Sequence, residues 1–439
     1  MVDCWCTSSK ARHAQEITSL WSPRVVFGGD KEPYILAEGT VEMDASNGMI
    51  HACFPGESKQ EAKARCATRD NTTVQKFIDL SERHAHAASL CLSPGLIDVH
   101  THISSLGRNW EGYTTATQAA AAGGITTIVG MPLNSLPPTV SADIVEQELD
   151  FAMNQSQLCV DVGLWGGVLP DTPPEQLREL LSHPNILGLK AFLSPLPRDA
   201  GYQAVSPEQF LNAAEICGSF KKPMLVHSEL MTTEDIEAAT QQAFPADGSR
   251  DNSYAAHVRS RPPEWEQEAI KLVVEATKYC DMHVVHLSDA RGCLPIIEAA
   301  KSNNVNMRRL TVETCPHYLL LDSTKIKDGD TRVKCFPPIR GQEQREALWK
   351  GLELGLIDMI SSDHSPCEPR MRQQSLRDAW GGLTGLQYQL PATWTAVKQM
   401  DGATVTEIDM AKWWSRNPAT LAGLKHTGSI EPGKRCDFV

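Results

Sequence analysis

Two histidines one residue apart, His100 and His102 in Asp98-Val99-His100-Thr101-His102, follow the apolar turn Leu92-Ser93-Pro94-Gly95-Leu96-Ile97. Alternate side chains of a strand share a face, so the two imidazoles project together about 7 Å apart, within reach of one metal ion. Taken alone, the pentad reads equally as a strand carrying two half-buried histidines. Four residues further along shift that balance: Lys190 in Gly188-Leu189-Lys190-Ala191-Phe192, His227 in Met224-Leu225-Val226-His227, His286 in His283-Val284-Val285-His286, and Asp363 in Ile360-Ser361-Ser362-Asp363-His364. Each closes a short apolar run. Imidazoles and a carboxylate with no cysteine among them suit a hydrolytic site for zinc, manganese, cobalt or iron. A protonated lysine would be repelled by divalent cations. A lysine that has lost its proton and combined with carbon dioxide is instead a carbamate, an anionic ligand whose two oxygens can bridge two metals. Two such ions close together would acidify a water and polarise a substrate carbonyl, and Asp363 would carry the water's proton to a leaving nitrogen. The chemistry implied is hydrolysis of an amide-like bond.

Six such residues need a frame that aims them at one point. From Pro94 onward, apolar runs of a few residues alternate with helical stretches about eight times. The expected strands cover 96–101, 125–131, 158–166, 186–193, 223–227, 282–287, 308–313 and 357–362, with helices at 112–123, 141–154, 206–219, 264–279, 289–303 and 343–354. This α/β recurrence predicts a (β/α)8 barrel rather than a doubly wound sheet, since no Gly-x-Gly-x-x-Gly turn follows the first strand. Barrel enzymes build their sites at the carboxyl ends of the strands, where all six candidates fall.

Outside the barrel, residues 1–15 read as an irregular tail, and its Cys4 and Cys6 form a C-x-C without a second pair. Residues 16–90 read as a small β-sandwich module, with strands around Arg24–Phe27, Tyr34–Ala37 and Met49–Cys53 and a polar insertion near 55–88. The barrel is expected over 91–424, and 425–439 return to the module.

The chain has 439 residues, 41 of them basic and 54 acidic, for a net charge of −13. No basic stripe could track phosphates, which excludes nucleic acid as the expected partner. Thirteen scattered cysteines, no leader pattern and no long apolar run predict a soluble protein of a reducing compartment, with no membrane partner. The cytoplasm is the expected compartment, with the peroxisome or another organelle as the alternative.

Several motifs in this order carry a resemblance. They are Pro94-Gly95-Leu96-Ile97-Asp98-Val99-His100-Thr101-His102, Ala119-Ala120-Ala121-Ala122-Gly123-Gly124-Ile125-Thr126-Thr127, Met131-Pro132-Leu133-Asn134-Ser135, Glu313-Thr314-Cys315-Pro316-His317-Tyr318, Ser362-Asp363-His364-Ser365-Pro366-Cys367 and Ala379-Trp380-Gly381-Gly382-Leu383. Over roughly residues 92–438 the chain resembles the cyclic amidohydrolases of the urease superfamily, most closely the allantoinase branch. The resemblance implies two divalent metals, zinc first, with carbon dioxide needed for lysine carboxylation. It matches His100, His102 and Asp363 to the ligands of the more buried ion, His227 and His286 to those of the second, and Lys190 to the carboxylated bridge (N6-carboxylysine). Asp363 also matches the general acid and base. Asn134 matches a substrate contact, and Cys335, Phe336 and Pro337 a backbone that holds the ring amide. His317 is read as a support for the loop after the seventh strand, and His364 as touching either substrate or a group behind the ligands.

Departures choose among relatives. Ser104 stands where a dihydroorotase would place a carboxylate-clamping arginine, and Pro195 where a dihydropyrimidinase or hydantoinase would place a tyrosine. Allantoin, an uncharged hydantoin ring with a ureido arm, fits both absences. The loop Ser105-Leu106-Gly107-Arg108-Asn109-Trp110 is altered from the branch pattern. Phe336 replaces a small residue and would narrow the pocket or turn outward. The module, ending at Asp437-Phe438-Val439, is expected to be incomplete. Resemblance further implies a homodimer or homotetramer. A dihydropyrimidinase, hydantoinase or dihydroorotase-type cyclic amidohydrolase is the enzymatic alternative, and a barrel kept only as a scaffold is the non-catalytic one, against which all six ligand types are present.

Overall fold

The computed structural model describes residues 16–439 except 29–32, 69–73, 83–89, 104, 109, 133–135, 155, 197–201, 245–251, 303–307, 401 and 403. Cys4, Cys6, Ser104 and Asn134 lie outside these residues. The chain divides into two compact units, Met1–Ile97 with Gly124–Thr126 and Thr404–Val439, and Asp98–Gly123 with Thr127–Ala403.

The first unit holds a four-stranded sheet built from β1 (Glu16–Phe27), β2 (Ile35–Asp44), β3 (Met49–Pro55) and β4 (Val74–Asp79), in the order β3-β2-β1-β4. Strands β1 to β3 pair antiparallel, and β4 runs parallel to β1 with Leu20 opposite Ile78. Leu20, Val25, Phe27, Val41, Ile50, Leu92 and Ile430 form its buried apolar cluster. The stretch expected as a polar insertion outside the core instead supplies helix α1 (Lys59–Thr68) and β4, whose Ile78 packs on that cluster. Charges of this polar stretch are matched within the fold. Lys59 pairs with Asp79, and Arg65 pairs with Glu42 and, at 2.7 Å, with Glu57. The carboxyl-terminal residues return to this unit through single bridges, Gly28 to Ile430, Met49 to Arg435 and Pro94 to Phe438.

The second unit carries nearly all of the (β/α)8 barrel. Its strands are β5 (Leu96–Thr101), β6 (Ile125–Gly130), β7 (Asp161–Gly167), β8 (Ile186–Phe192), β9 (Met224–His227), β10 (Met282–Val284), β11 (Leu310–Thr314) and β12 (Met359–Ile360), hydrogen-bonded in unbroken chain order. A parallel bridge from Thr101 to His364, with the His102 N–H donating to the His364 carbonyl at 2.7 Å, brings the end of the series back to its start. Between the strands lie α2 (Tyr113–Ala122), α3 (Ala142–Asn154), α4 (Pro174–Ser182), α5 (Pro207–Ser219), α6 (Thr233–Ala243), α7 (Tyr254–Arg259), α8 (Glu264–Ala276), α9 (Ala290–Ser302), α10 (Pro316–Leu320) and α11 (Gln342–Glu353).

Local sequence accounts for these elements. All six residues of β5 are buried, as expected of a parallel strand covered on both faces, and its polar members Asp98, His100 and Thr101 are each hydrogen-bonded there. Helix α8 turns Ala269, Ile270, Val273 and Ala276 inward at helical spacing. Helix α5 opens on a capping box in which Ser206 and Gln209 satisfy each other's backbone N–H. Gly188 lets β8 approach its neighbour, since a Cβ there would lie 2.3 Å from the Pro223 carbonyl oxygen that accepts from the Leu189 N–H at 3.1 Å. Among the described residues, no helix is long and apolar enough to cross a membrane.

Candidate metal centre

The six proposed ligands converge at the carboxyl ends of the barrel strands, and every one is buried. His100 and His102 present Nε2 to the same Asp363 oxygen, at 3.2 and 3.4 Å. The ring of His286 lies 5.4 Å from that of His100, and ligand atoms of His100, His286 and Asp363 all fall within 4.8 Å of one another. His227 Nδ1 is 3.0 Å from His286 Nε2. His286 and Asp363 both have left-handed backbone, φ 42° and 48°, a conformation that non-glycine residues hold only when their surroundings enforce it.

Lys190 is the most telling member. It is fully buried, its Nζ has no hydrogen-bond partner, and it sits 4.9 Å from the Phe192 ring centre. Burial pulls its ammonium down to about 7, against the opposing pull of Glu313 and Asp363. The lysine is therefore neutral to a large extent at physiological pH, the state in which its nitrogen is a nucleophile. Its charge is felt by His102, His227 and His286. For His100, burial lowers the pKa, but Asp363 and Glu313 outweigh it and lift the imidazole to about 9. Nitrogens and oxygens crowded at this spacing, with buried atoms of Lys190, His102 and His286 left without partners, fit divalent cations of borderline hardness.

Carboxylates behind the ligands aim them. Glu313 accepts from His100 Nδ1 through one oxygen, and its other oxygen is 3.0 Å from His283 Nε2 and 2.7 Å from Ser361 Oγ. Burial alone would raise the Glu313 carboxyl, yet His100 and His283 hold it well below the usual range. Glu229 lies 2.8 Å from His227 Nε2 and is clamped by Arg261, which also reaches Ser194 at 3.1 Å. The Lys190 carbonyl accepts from Tyr202 Oη at 2.9 Å. Sequence reasoning gave Glu313, Glu229, Arg261 and Tyr202 no role. The available signal was an acidic residue closing an apolar strand, as Glu313 does, and another two residues past a ligand, as Glu229 does.

The remaining predicted residues divide. Asn134 is outside the described residues. The backbone of 335–338 is held from three sides, His257 Nε2 to the Cys335 carbonyl at 2.9 Å, Tyr318 Oη to the Pro337 carbonyl at 2.7 Å, and Ser288 Oγ to the Pro338 carbonyl at 2.7 Å. The Phe336 ring is caged, edge-on to His257 at 5.3 Å, with Arg261 at 5.0 Å and Lys334 at 5.5 Å, and a Cβ on Gly381 would lie 2.6 Å from it. His317 is buried with Nε2 unpartnered, and burial pushes it down to about 4. His364, in contrast, has both ring nitrogens engaged, Nε2 with Glu111 at 2.9 Å and Nδ1 with the Gly385 N–H at 3.3 Å.

Comparison with known proteins bears on this geometry. Residues 91–439 match the profile of the Amidohydrolase family. The chain is 42% identical over 370 residues to a probable allantoinase of Oryza sativa subsp. japonica, covering 79% of this chain and 69% of that protein. It is 40% identical over 364 residues to an allantoinase of Arabidopsis thaliana, covering 79% and 68%. Among solved structures, an L-hydantoinase (dihydropyrimidinase) from Arthrobacter aurescens superposes with a TM-score of 0.78 at 23% identity, covering 97% of this chain and 86% of that one. At that identity the likeness concerns the fold.

Proposed function

Because the chain belongs to the amidohydrolase family, we propose that it is a metal-dependent cyclic amide hydrolase that opens the hydantoin ring of allantoin to allantoate. The observation that carries the substrate is the 40–42% identity to plant proteins named allantoinase or probable allantoinase over four-fifths of the chain. Ser104 and Pro195 support it, since neither a carboxylate clamp nor the hydantoinase tyrosine is present.

His100, His102 and Asp363 would hold one ion, His227 and His286 the other, and a carboxylated Lys190 would bridge them. Zinc suits the donor set best, with manganese, cobalt and iron as substitutes. Bound there, the ions would supply an acidified water and a polarised ring carbonyl. Asp363 takes the proton of the attacking water on its carboxylate and delivers it to the ring nitrogen as the C–N bond breaks. Water thus adds across one amide bond, leaving a carboxylate and a second ureido group. Asn134 and the backbone of Cys335, Phe336 and Pro337 contact the ring. The cage around Phe336 and the three clamps on 335–338 support a rigid surface there, so that little order is lost on binding. Family likeness extends the reading to a homodimer or homotetramer, and thirteen cysteines scattered singly through the chain suit a reducing compartment such as the cytoplasm.

The test is turnover by protein reconstituted with zinc or manganese and bicarbonate. Allantoin is expected to be opened, with dihydrouracil and dihydroorotate left intact. Opening of dihydrouracil alone would make the protein a dihydropyrimidinase, and no turnover of any ring by metal-loaded protein would favour a scaffold.

A further inference from the structure

Asp363 stands on a left-handed turn between two residues that are tied down, and the chain of ties leads to a carboxylate far from it in sequence. Ser362 donates its N–H to Asp98 at 3.2 Å and its Oγ to the His100 carbonyl at 3.3 Å. His364 is fastened at four points. Its N–H donates to Ser362 Oγ at 3.0 Å, and its carbonyl accepts from the His102 N–H at 2.7 Å. Its Nδ1 accepts from the Gly385 N–H at 3.3 Å, and its Nε2 meets Glu111 Oε2 at 2.9 Å. Since Nδ1 accepts, the proton is on Nε2 and is donated to Glu111. An imidazole backed by a carboxylate looks like half of a proton relay. Here neither nitrogen is left to face substrate, so the pair cannot deliver a proton to it. What it does is hold.

We propose that Glu111 is a positioning residue of the catalytic centre: by gripping His364 it fixes the turn from which Asp363 presents its carboxylate to His100 and His102. Glu111 belongs to the loop between β5 and α2, His364 to the segment after β12, and their bond pins one loop to the other. The His364 side chain is 2% exposed and that of Glu111 9%, so water competes little for the bond. A left-handed residue relaxes when its neighbours release it, and a carboxylate displaced by about 1 Å from its reacting partner loses much of its effect. This inference rests on the reading of Asp363 as the proton carrier.

The experiment compares Glu111→Ala, Glu111→Gln, His364→Ala and the double alanine variant in kcat, KM and metal content, and in hydrogen exchange of the metal-free proteins. Glu111→Ala is expected to lower kcat about 10- to 100-fold with KM and metal stoichiometry little changed. Glu111→Gln, whose amide oxygen still accepts from Nε2, recovers most of the loss. In the double variant the two losses do not add, because Glu111 acts only through His364. In metal-free Glu111→Ala, the amides of His102 and Gly385 exchange faster while protection elsewhere is unchanged.

Additive losses, an undiminished kcat in Glu111→Ala, or a fold-wide rise in exchange would overturn the proposal. Should the alanine variant not fold, His364→Gln, which keeps a donor toward Glu111, is expected to retain more activity than His364→Asn, which keeps only the acceptor toward Gly385. The reverse order would refute it. A wild-type protein that binds metal but ignores allantoin would defeat the substrate reading, and exchange at His102 and Gly385 would still decide the role of Glu111.

Discussion

His227 turns Nε2 onto Glu229 at 2.8 Å, which leaves Nδ1 as the nitrogen it shows to His286, 3.0 Å away. Burial would raise the Glu229 carboxyl, but Arg261 and His227 together hold it well below the usual range. Replacing Glu229 by alanine frees the imidazole to rotate and strands Arg261 as a buried unpaired charge. Metal affinity is expected to drop about 10- to 100-fold in calorimetric titration. Urea unfolding should show a loss of about 3–5 kcal/mol, much of it the exposed cost of Arg261.

Lys190 separates binding from stability. In metal-free protein kept free of carbon dioxide, its ammonium titrates at about 7, against 10.5 for the ordinary side chain. Between those values the unfolded chain binds a proton that the folded chain does not, so stability rises with pH across the window and is lowest below about 7. Lys190→Met should flatten this rise and unfold at higher urea than the metal-free parent at pH 7. The same variant should fail to take up two ions by elemental analysis.

Asp363→Asn preserves size and removes the carboxylate proposed as the base. Turnover is expected to fall by at least about 10²-fold, as general acid–base groups contribute on that scale, with the circular dichroism spectrum and melting cooperativity retained. Activity within a few-fold of wild type would assign proton transfer to another group.

His257, which is no ligand, supplies an acid limit. Burial first, then the charges of Lys334 and Arg261, push its imidazole from 6.5 down to about 3. As pH falls from 6.5 toward 3, the unfolded chain gains a proton that the folded chain refuses, so stability drops across that interval. His257→Gln should shallow the drop, read as urea midpoints at pH 4, 5 and 6. An unaltered profile would show that other groups set the acid limit.

The barrel was legible because parallel strands covered on both faces are rich in apolar residues and alternate here with helical stretches. Strands β5 and β8 and helices α2, α3, α5 and α9 lie within a few residues of where periodicity puts them. The helices α4, α6, α7 and α10 fall outside the ranges named from the sequence, although a helical stretch is expected after each apolar run, and β4 is hidden by its own charges. Residues at strand ends, His100 to Asp363, announce themselves by local pattern. Glu313 shows only its place near the end of a strand and Glu111 not even that, because their roles lie in partners 213 and 253 residues away. No local pattern encodes such a pairing. Likewise the sequence reads His317 as a loop support and leaves His364 between substrate contact and a place behind the ligands, and only the hydrogen bonds tell the anchored ring from the one whose Nε2 is unpartnered.

The barrel strands follow one another in unbroken order, so the ring has a single joint, between its first strand and the turn after its last. His100 and His102 stand on one lip of that joint and Asp363 on the other, beside a bond joining Asp98 to Ser362 across 264 positions. During synthesis the histidines wait for almost the whole barrel to be made before the aspartate arrives. The centre is thus the molecule's clasp as well as its tool, and a chain interrupted anywhere before Ser362 has neither.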